Sequence, residues 1–223
     1  VEINLNHGQL NKTNSDELVL ILEQGIKQLG LITTELQLTQ LLSYKDILLK
    51  WNKVYSLTAI TKPRDLLILH ILDGLALIPH LTINELTTNL LDVGSGMGVP
   101  GVLLAIMCPK LAVTVLDSNS KKCAFLQQVK IELKLANLQV VCKRVEDYQP
   151  QSPFQLITSR AFADLSLLVK LTNHLIADNG RYLALKSMRG ISEMDQLRNW
   201  QTVQIELNVP FLDANRILVE IKS

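Results

Sequence analysis

Aromatic residues are scarce in this chain, at 4% of 223 residues. Any core must therefore be mostly aliphatic, and a 48% hydrophobic content supplies one large enough to exclude global disorder. Charge is also lean, at 19%, and nearly balanced: 22 Lys and Arg against 21 Asp and Glu, a formal net charge of +1. Nucleic-acid binders usually carry a strong basic excess, so only local basic patches remain available for such a role. No apolar run reaches the roughly 18–20 residues that span a bilayer. Residues 1–14 lack the apolar segment of a secretory signal. A cytoplasmic protein without membrane association is expected. Cysteine is limited to Cys108, Cys123 and Cys142, spaced by 15 and 19 residues. That number and spacing fit neither a disulfide framework nor a zinc site, so buried structural thiols and no metal are expected.

The sequence has no internal repeat and falls into two stretches of different character after a polar segment, 1–14, expected to be flexible. Residues 15–80 read as a helical extension, and 81–223 as alternating strands and helices, the two forming one integrated unit. In the extension, Ser15 is placed to cap a helix from Asp16 to Leu29 that Gly30 ends. A second helix is expected over Glu35–Trp51. A third starts at Pro63, carries Leu67, His70, Ile71, Gly74, Leu75 and Ile78 on one side, and stops at Pro79. Strands are expected at Asn89–Val93, Ala112–Leu116, Leu138–Cys142, Gln155–Thr158, Arg181–Leu185, Gln201–Leu207 and Ile217–Ile221. Helices are expected between them at Pro100–Met107, Ser120–Leu135 and Leu165–Ile176, with a weak one at Ser192–Trp200. Such alternation implies right-handed crossovers and a mostly parallel, Rossmann-like sheet. The segment around Pro210 is too short for a helix, so the last two strands should form an antiparallel hairpin at one end.

The strongest signal is Leu91-Asp92-Val93-Gly94-Ser95-Gly96-Met97-Gly98-Val99-Pro100-Gly101, which follows the first strand and opens a helix. Glycines there let backbone turn sharply and approach a ligand. Gly96, Gly98 and Gly101 satisfy the dinucleotide spacing G-x-G-x-x-G, so an NAD-dependent oxidoreductase stays open on spacing alone. Other details favour S-adenosylmethionine. Asp92 can approach the cationic amino-acid end of that cofactor but would tend to repel a pyrophosphate. The spacing Gly94-x-Gly96-x-Gly98 is tighter than the dinucleotide pattern. Asp117 ends the second strand, 23 residues after Gly94, where a carboxylate can accept ribose hydroxyls, as either cofactor would require. No G-K-[ST] follows, which excludes a P-loop.

At this point the chain closely resembles the RsmG (GidB) family of ribosomal RNA methyltransferases. Five stretches carry the resemblance: Trp51-Asn52-Lys53-Val54-Tyr55 with Leu57-Thr58-Ala59-Ile60; His70-Ile71-Leu72-Asp73; Asp92 to Gly101; Arg144-Val145-Glu146; and Ser159-Arg160-Ala161-Phe162-Ala163. The resemblance implies a class I S-adenosylmethionine-dependent methyltransferase fold with a helical N-terminal extension. It also implies methylation of guanine nitrogen-7 in 16S ribosomal RNA of the small subunit. By position it places the Gly94 and Val99 backbones, with Gly96, along the cofactor, Val145 and Glu146 beside its adenine, and Arg160 in the pocket. This chain departs from the family's usual residues at Ser56 (Asn), Gly74 (Ser) and Ser187 (Gly).

Neutral guanine offers an unprotonated lone pair at nitrogen-7, so its methylation needs no general base, and no catalytic acid or base is assigned. The Asp/Asn-Pro-Pro-aromatic motif of amine methylation is missing, and no cysteine is expected near the strand ends for pyrimidine chemistry. Phe162 can stack on a base or serve as a core residue. His70 with Asp73 reads first as a clamp holding its helix to the rest. RNA contacts are expected from Lys186 and Arg189, with 16S ribosomal RNA or the small subunit as partner and a monomer as the working form. A methyltransferase of small molecules or proteins, and a non-catalytic RNA-binding module, are the competing classes.

Overall fold

The computed structural model describes residues 7–81, 88–187 and 191–222. Seven strands form one sheet: β1 (Asn89–Val93), β2 (Ala112–Asp117), β3 (Leu138–Cys142), β4 (Phe154–Arg160), β5 (Ile176–Ser187), β6 (Gln201–Leu207) and β7 (Arg216–Lys222). Their order is β3-β2-β1-β4-β5-β7-β6. The pairings from β3 through β5 are parallel, and β7 runs antiparallel to both β5 and β6. The expected terminal hairpin is present, with β7 inserted beside β5 and β6 left at the edge. Strand order reverses on either side of β1, the topological point where ligands bind at the carboxyl ends of parallel strands.

Alternation along the strands splits the core into two layers. Leu90, Val113, Val115, Leu156, Leu183 and Leu218 point to one face. There they meet α5 (Gly101–Met107), α6 (Ser120–Glu132) and the helical extension. Leu91, Leu116, Ile157, Tyr182, Val219 and Ile221 point to the other, covered by α7 (Leu165–Thr172). Most of α2 (Glu35–Tyr55) follows from its sequence: Thr34 and Gln37 form a reciprocal capping box, and Leu41, Tyr44, Ile47 and Leu48 are its buried stripe.

Several boundaries differ from expectation. Helix α1 (His7–Gln28) begins well before Asp16, so Ser15 lies inside it rather than capping it. Its early polar residues include no proline and cost only tenths of a kcal/mol each in a helix. The third helix is composite: α3 (Pro63–Leu66), a π-helical stretch Leu67–Leu72, then α4 (Asp73–Leu75), with a 3₁₀ turn at Ile78–His80. Helix α7 stops at Thr172, whose hydroxyl donates to Leu168 O, and Ile176 already pairs with Phe154 in β5. The weak helix before β6 is only α8 (Ile191–Met194).

Helix α2 ends at Ser56, which is left-handed at φ 50, ψ 52 and donates its N–H to Asn52 O. That conformation is unfavourable for most L-residues and is occupied several-fold more readily by asparagine. Ser56→Asn, the residue usual in the resembling family, should therefore raise stability by about 0.3–0.5 kcal/mol. Chemical denaturation would detect this as a higher midpoint at unchanged slope, and a lower midpoint would show that the serine side chain matters more than the backbone.

A glycine-loop pocket and the cleft beside it

The loop after β1 is braced by Asp92. This carboxylate is fully buried; its Oδ2 accepts from the Ser95 hydroxyl and, at 3.0 Å, from the N–H of Gly101, the first residue of α5. Its Oδ1 is buried with no partner. Burial, outweighing the hydrogen bonds from Ser95 and Gly101, pushes the carboxyl up to about 7. Asp92 therefore lines neither cavity directly; it holds the loop, with one acceptor in reserve. Two further N–H groups opening α5 are engaged, Val102 with Gly98 O and Leu104 with Pro100 O. Three of the donors that a pyrophosphate would use at this helix start are thus taken within the protein, which disfavours an NAD site.

The first cavity, about 330 Å³, is lined by Gly94, Asp117, Ser118, Val145, Glu146 and Phe162 among others. The expected ribose and adenine residues are thus brought together. Asp117 Oδ2 accepts from Gly96 N at 2.9 Å and Oδ1 from Asn119 N at 2.9 Å. Each carboxylate oxygen keeps further lone-pair capacity for hydroxyl donors. Gly94, Gly96 and Gly98 all have positive φ. At Gly94 a Cβ would stand 2.3 Å from Phe162 Cδ2, so the ring packs directly over the glycine. Phe162 is a wall of this cavity, a role that residue type and position left undecided.

A second cavity, about 670 Å³, shares Gly94, Lys122 and Ala161 with the first and extends along Ser95, Gly96, Met97 and Val99. Leu57 and Ile60 from the extension, Leu185 from β5 and Ile217 from β7 supply apolar walls. Its polar side is a network centred on Asp73, which is 4% exposed. Asp73 Oδ1 accepts from Arg216 Nε at 2.8 Å, and Oδ2 from Arg160 Nη1 at 3.1 Å. Arg160 Nη1 also donates to Leu69 O at 3.2 Å. The neutral His70 ring fits a tautomer whose Nδ1–H donates to Leu69 O, leaving Nε2 to accept from the Thr58 hydroxyl at 2.8 Å. Burial, with the Arg160 cation adding to it, lowers His70 to about 4. His70 and Asp73 therefore do not bond to each other; Arg160, through Leu69 O and Asp73, clamps the π-helical stretch to β4. Such helical irregularities are frequent at functional sites.

Lys186 lines the second cavity, but its ammonium is bound to Ala163 O and, at 2.8 Å, to Glu193 Oε2. It braces the 163–193 wall rather than projecting as a loose cation. Arg189 lies outside the described residues. Arg216, Tyr44 and Ser95 were not singled out by sequence. Tyr44 donates to Met97 O at 2.7 Å, tying α2 to the glycine loop. Two expectations about cysteine need correction. Cys142 is exposed at the end of β3, and Cys123 donates to Asp117 O, so thiols do lie near the strand ends. Neither lines a cavity, and Cys108 is half-buried. Among the described residues no cluster suits a metal ion and no helix is long and apolar enough to cross a membrane.

The cavity lined by Gly94, Asp117, Val145 and Glu146, with the loop braced from behind by Asp92, fits an S-adenosyl cofactor. Comparison with known proteins agrees with this geometry. Residues 37–219 match the GidB family, described as rRNA small subunit methyltransferase G. The chain is 49% identical over 200 residues to Ribosomal RNA small subunit methyltransferase G of Chromobacterium violaceum, covering 89% of this chain and 94% of that one. It is 46% identical over 198 residues to the protein of that name from Methylobacillus flagellatus, covering 89% and 95%. Among solved structures, a SAM-dependent methyltransferase from Aquifex aeolicus superposes with a TM-score of 0.55 at 14% identity, covering 71% of this chain and 93% of that one. That likeness carries the class I methyltransferase fold.

Proposed function

Because the chain belongs to the GidB family of rRNA small subunit methyltransferase G, we propose that it transfers a methyl group from S-adenosylmethionine to nitrogen-7 of a guanine in 16S ribosomal RNA, working in the cytoplasm. The observation that carries the cofactor assignment is the first cavity, where Gly94 of the loop, Asp117 at the end of β2 and Val145 with Glu146 after β3 meet. Gly94, Gly96 and Val99 would hold the cofactor along the loop, Asp117 its ribose, and Val145 with Glu146 its adenine. When bound, the sulfonium supplies an electrophilic methyl group.

The protein's own residues then have one main task, orientation, which can lower a barrier by roughly 7–11 kcal/mol. The apolar walls Leu57, Ile60, Leu185 and Ile217 suit the faces of a purine excluded from water. Arg160 and Arg216, held in place by Asp73, can donate to a base oxygen or a phosphate without removing any proton. Nitrogen-7 of neutral guanine carries no proton, so the lack of a general base agrees with the reaction. A neutral His70 adds no further positive charge where a methylated, cationic guanine would form.

The test is transfer of labelled methyl from S-adenosylmethionine to small subunits that lack their own guanine nitrogen-7 methyl, followed by nucleoside analysis. Labelled 7-methylguanosine is expected. Label in another nucleoside, or none while S-adenosylhomocysteine still raises the melting temperature, would return the substrate to small molecules or proteins.

A further inference from the structure

Two thiols take no part in the chemistry above, yet they stand behind the wall of the first cavity. Cys123 lies in the first turn of α6, and its thiol donates to Asp117 O at 3.2 Å. Asp117 is the register partner of Cys142 across the β2–β3 pairing, and paired strands run about 4.8 Å apart. Both cysteines thus flank Asp117, Cys123 through its bond to the Asp117 carbonyl and Cys142 across the strand pairing. One is open to reagents and the other is not: Cys142 is exposed, whereas Cys123 is 7% exposed. Burial pushes the Cys123 thiol up to about 12, with the Cys142 contact adding to it, so first attack on a reagent falls to Cys142. Lys122 precedes Cys123 in sequence, Lys143 and Arg144 follow Cys142, and all three line the cavity. These cations favour the approach of an anionic reagent.

We propose that Cys123 and Cys142 are a modification site: a dithiol that closes to an internal disulfide by exchange with an anionic low-molecular-weight disulfide such as oxidised glutathione. Cys142 loses its proton and attacks one sulfur of the reagent, releasing one thiol and forming a mixed disulfide. Cys123 then loses its proton and attacks the Cys142 sulfur, releasing the second thiol. Two protein thiols are oxidised and one external disulfide is reduced to two thiols, so atoms and electrons balance. Closure withdraws the Cys123 donor from Asp117 O. It also draws on the first turn of α6, which carries Lys122, whose ammonium is 3.8 Å from Asp117 Oδ2. Both changes act on the cavity wall, and S-adenosylhomocysteine binding should weaken about tenfold, an ordinary size for coupling between sites. That coupling rests on the cofactor assignment; the bridge itself does not.

The experiment treats the whole protein with oxidised glutathione, alkylates the remaining thiols and maps peptides by mass spectrometry. A Cys123–Cys142 linked peptide is expected in the wild type. Cys123→Ser should retain glutathione on Cys142, and Cys142→Ser should carry neither product at these positions. A wild-type protein that keeps glutathione on Cys142, or leaves both thiols open to alkylation, overturns the proposal. Titration of S-adenosylhomocysteine then compares reduced with bridged protein. About tenfold weaker binding, reversed by dithiothreitol, is expected, and equal affinity overturns the coupling. Reduced protein that binds no S-adenosylhomocysteine counts against the cofactor assignment and leaves the linked peptide to decide the bridge.

Discussion

Asp73→Ala should cost about 3–5 kcal/mol of stability, the range measured when one partner of a buried ion pair is removed. The carboxylate is 5% exposed and is shared by two guanidinium groups, Arg160 at 17% and Arg216 at 27% side-chain exposure. Its removal leaves two cations facing each other in a partly desolvated cleft, without the anion that offset them. Their residual exposure lets water recover part of the loss, which places the effect toward the lower end of the range. For a protein of this size each kcal/mol moves the melting temperature by about 2–4 °C, so a fall of roughly 6–12 °C is expected. The diagnostic measurement is a double-mutant cycle. Asp73→Ala should cost clearly less in an Arg216→Ala background, because one stranded charge is already gone. Additive effects, or a single-mutant loss below about 1 kcal/mol, would mean that the network is decoration on a site held by apolar packing.

Gly94→Ala should weaken S-adenosylhomocysteine binding by about 10- to 100-fold, corresponding to the roughly 1–3 kcal/mol that overpacking a fitted site costs. Two separate effects arise, one on stability and one on affinity. Gly94 has φ +64, a region where a Cβ itself costs about 1–2 kcal/mol. The added methyl also occupies the space of Phe162, with 2.3 Å to Cδ2 and 3.3 Å to Cβ. The ring lines the first cavity, so it must shift within the site that the cofactor would occupy. Thermal unfolding and calorimetric titration together separate the effects: the backbone cost lowers the melting temperature of the free protein, whereas the ring's displacement lowers affinity. Unchanged affinity in a folded variant would show that Phe162 can swing clear of the ligand.

What was readable in the sequence follows from how local each signal is. Strands β1, β3 and β6 have the boundaries that their apolar runs suggest, because flanking turns and alternation are written within a few residues. The glycine loop and Asp117 were readable for the same reason. The Asp73 network was not: Asp73 and Arg216 are 143 residues apart, and an isolated arginine near a chain end looks like any solvated charge. Helix α1 ran past its expected cap because Ser15 is a good cap only if the chain turns there, and nothing upstream forces a turn. The π-helical stretch left no local mark, since Leu67, His70 and Ile71 satisfy the ordinary helical period almost as well. Lys186 was read as an RNA contact from its place after a strand, but Glu193 and the Ala163 carbonyl compete for its ammonium.

The side chains of α2 change the meaning of the apparent boundary near residue 80. Gln37 donates to the carbonyls of Ile106 and Met107 at the end of α5, and Gln40 to Leu133 O at the end of α6. Tyr44 reaches Met97 O in the glycine loop, with its ring 6.4 Å from Phe125. Three amide or hydroxyl groups of the extension thus supply donors to carbonyls that the catalytic helices and loop leave open. The joint that the sequence suggests near residue 80 is thus crossed by side-chain hydrogen bonds from α2. Detaching the first part would strip the second of these hydrogen bonds and uncover Leu103, against which Gly74 packs.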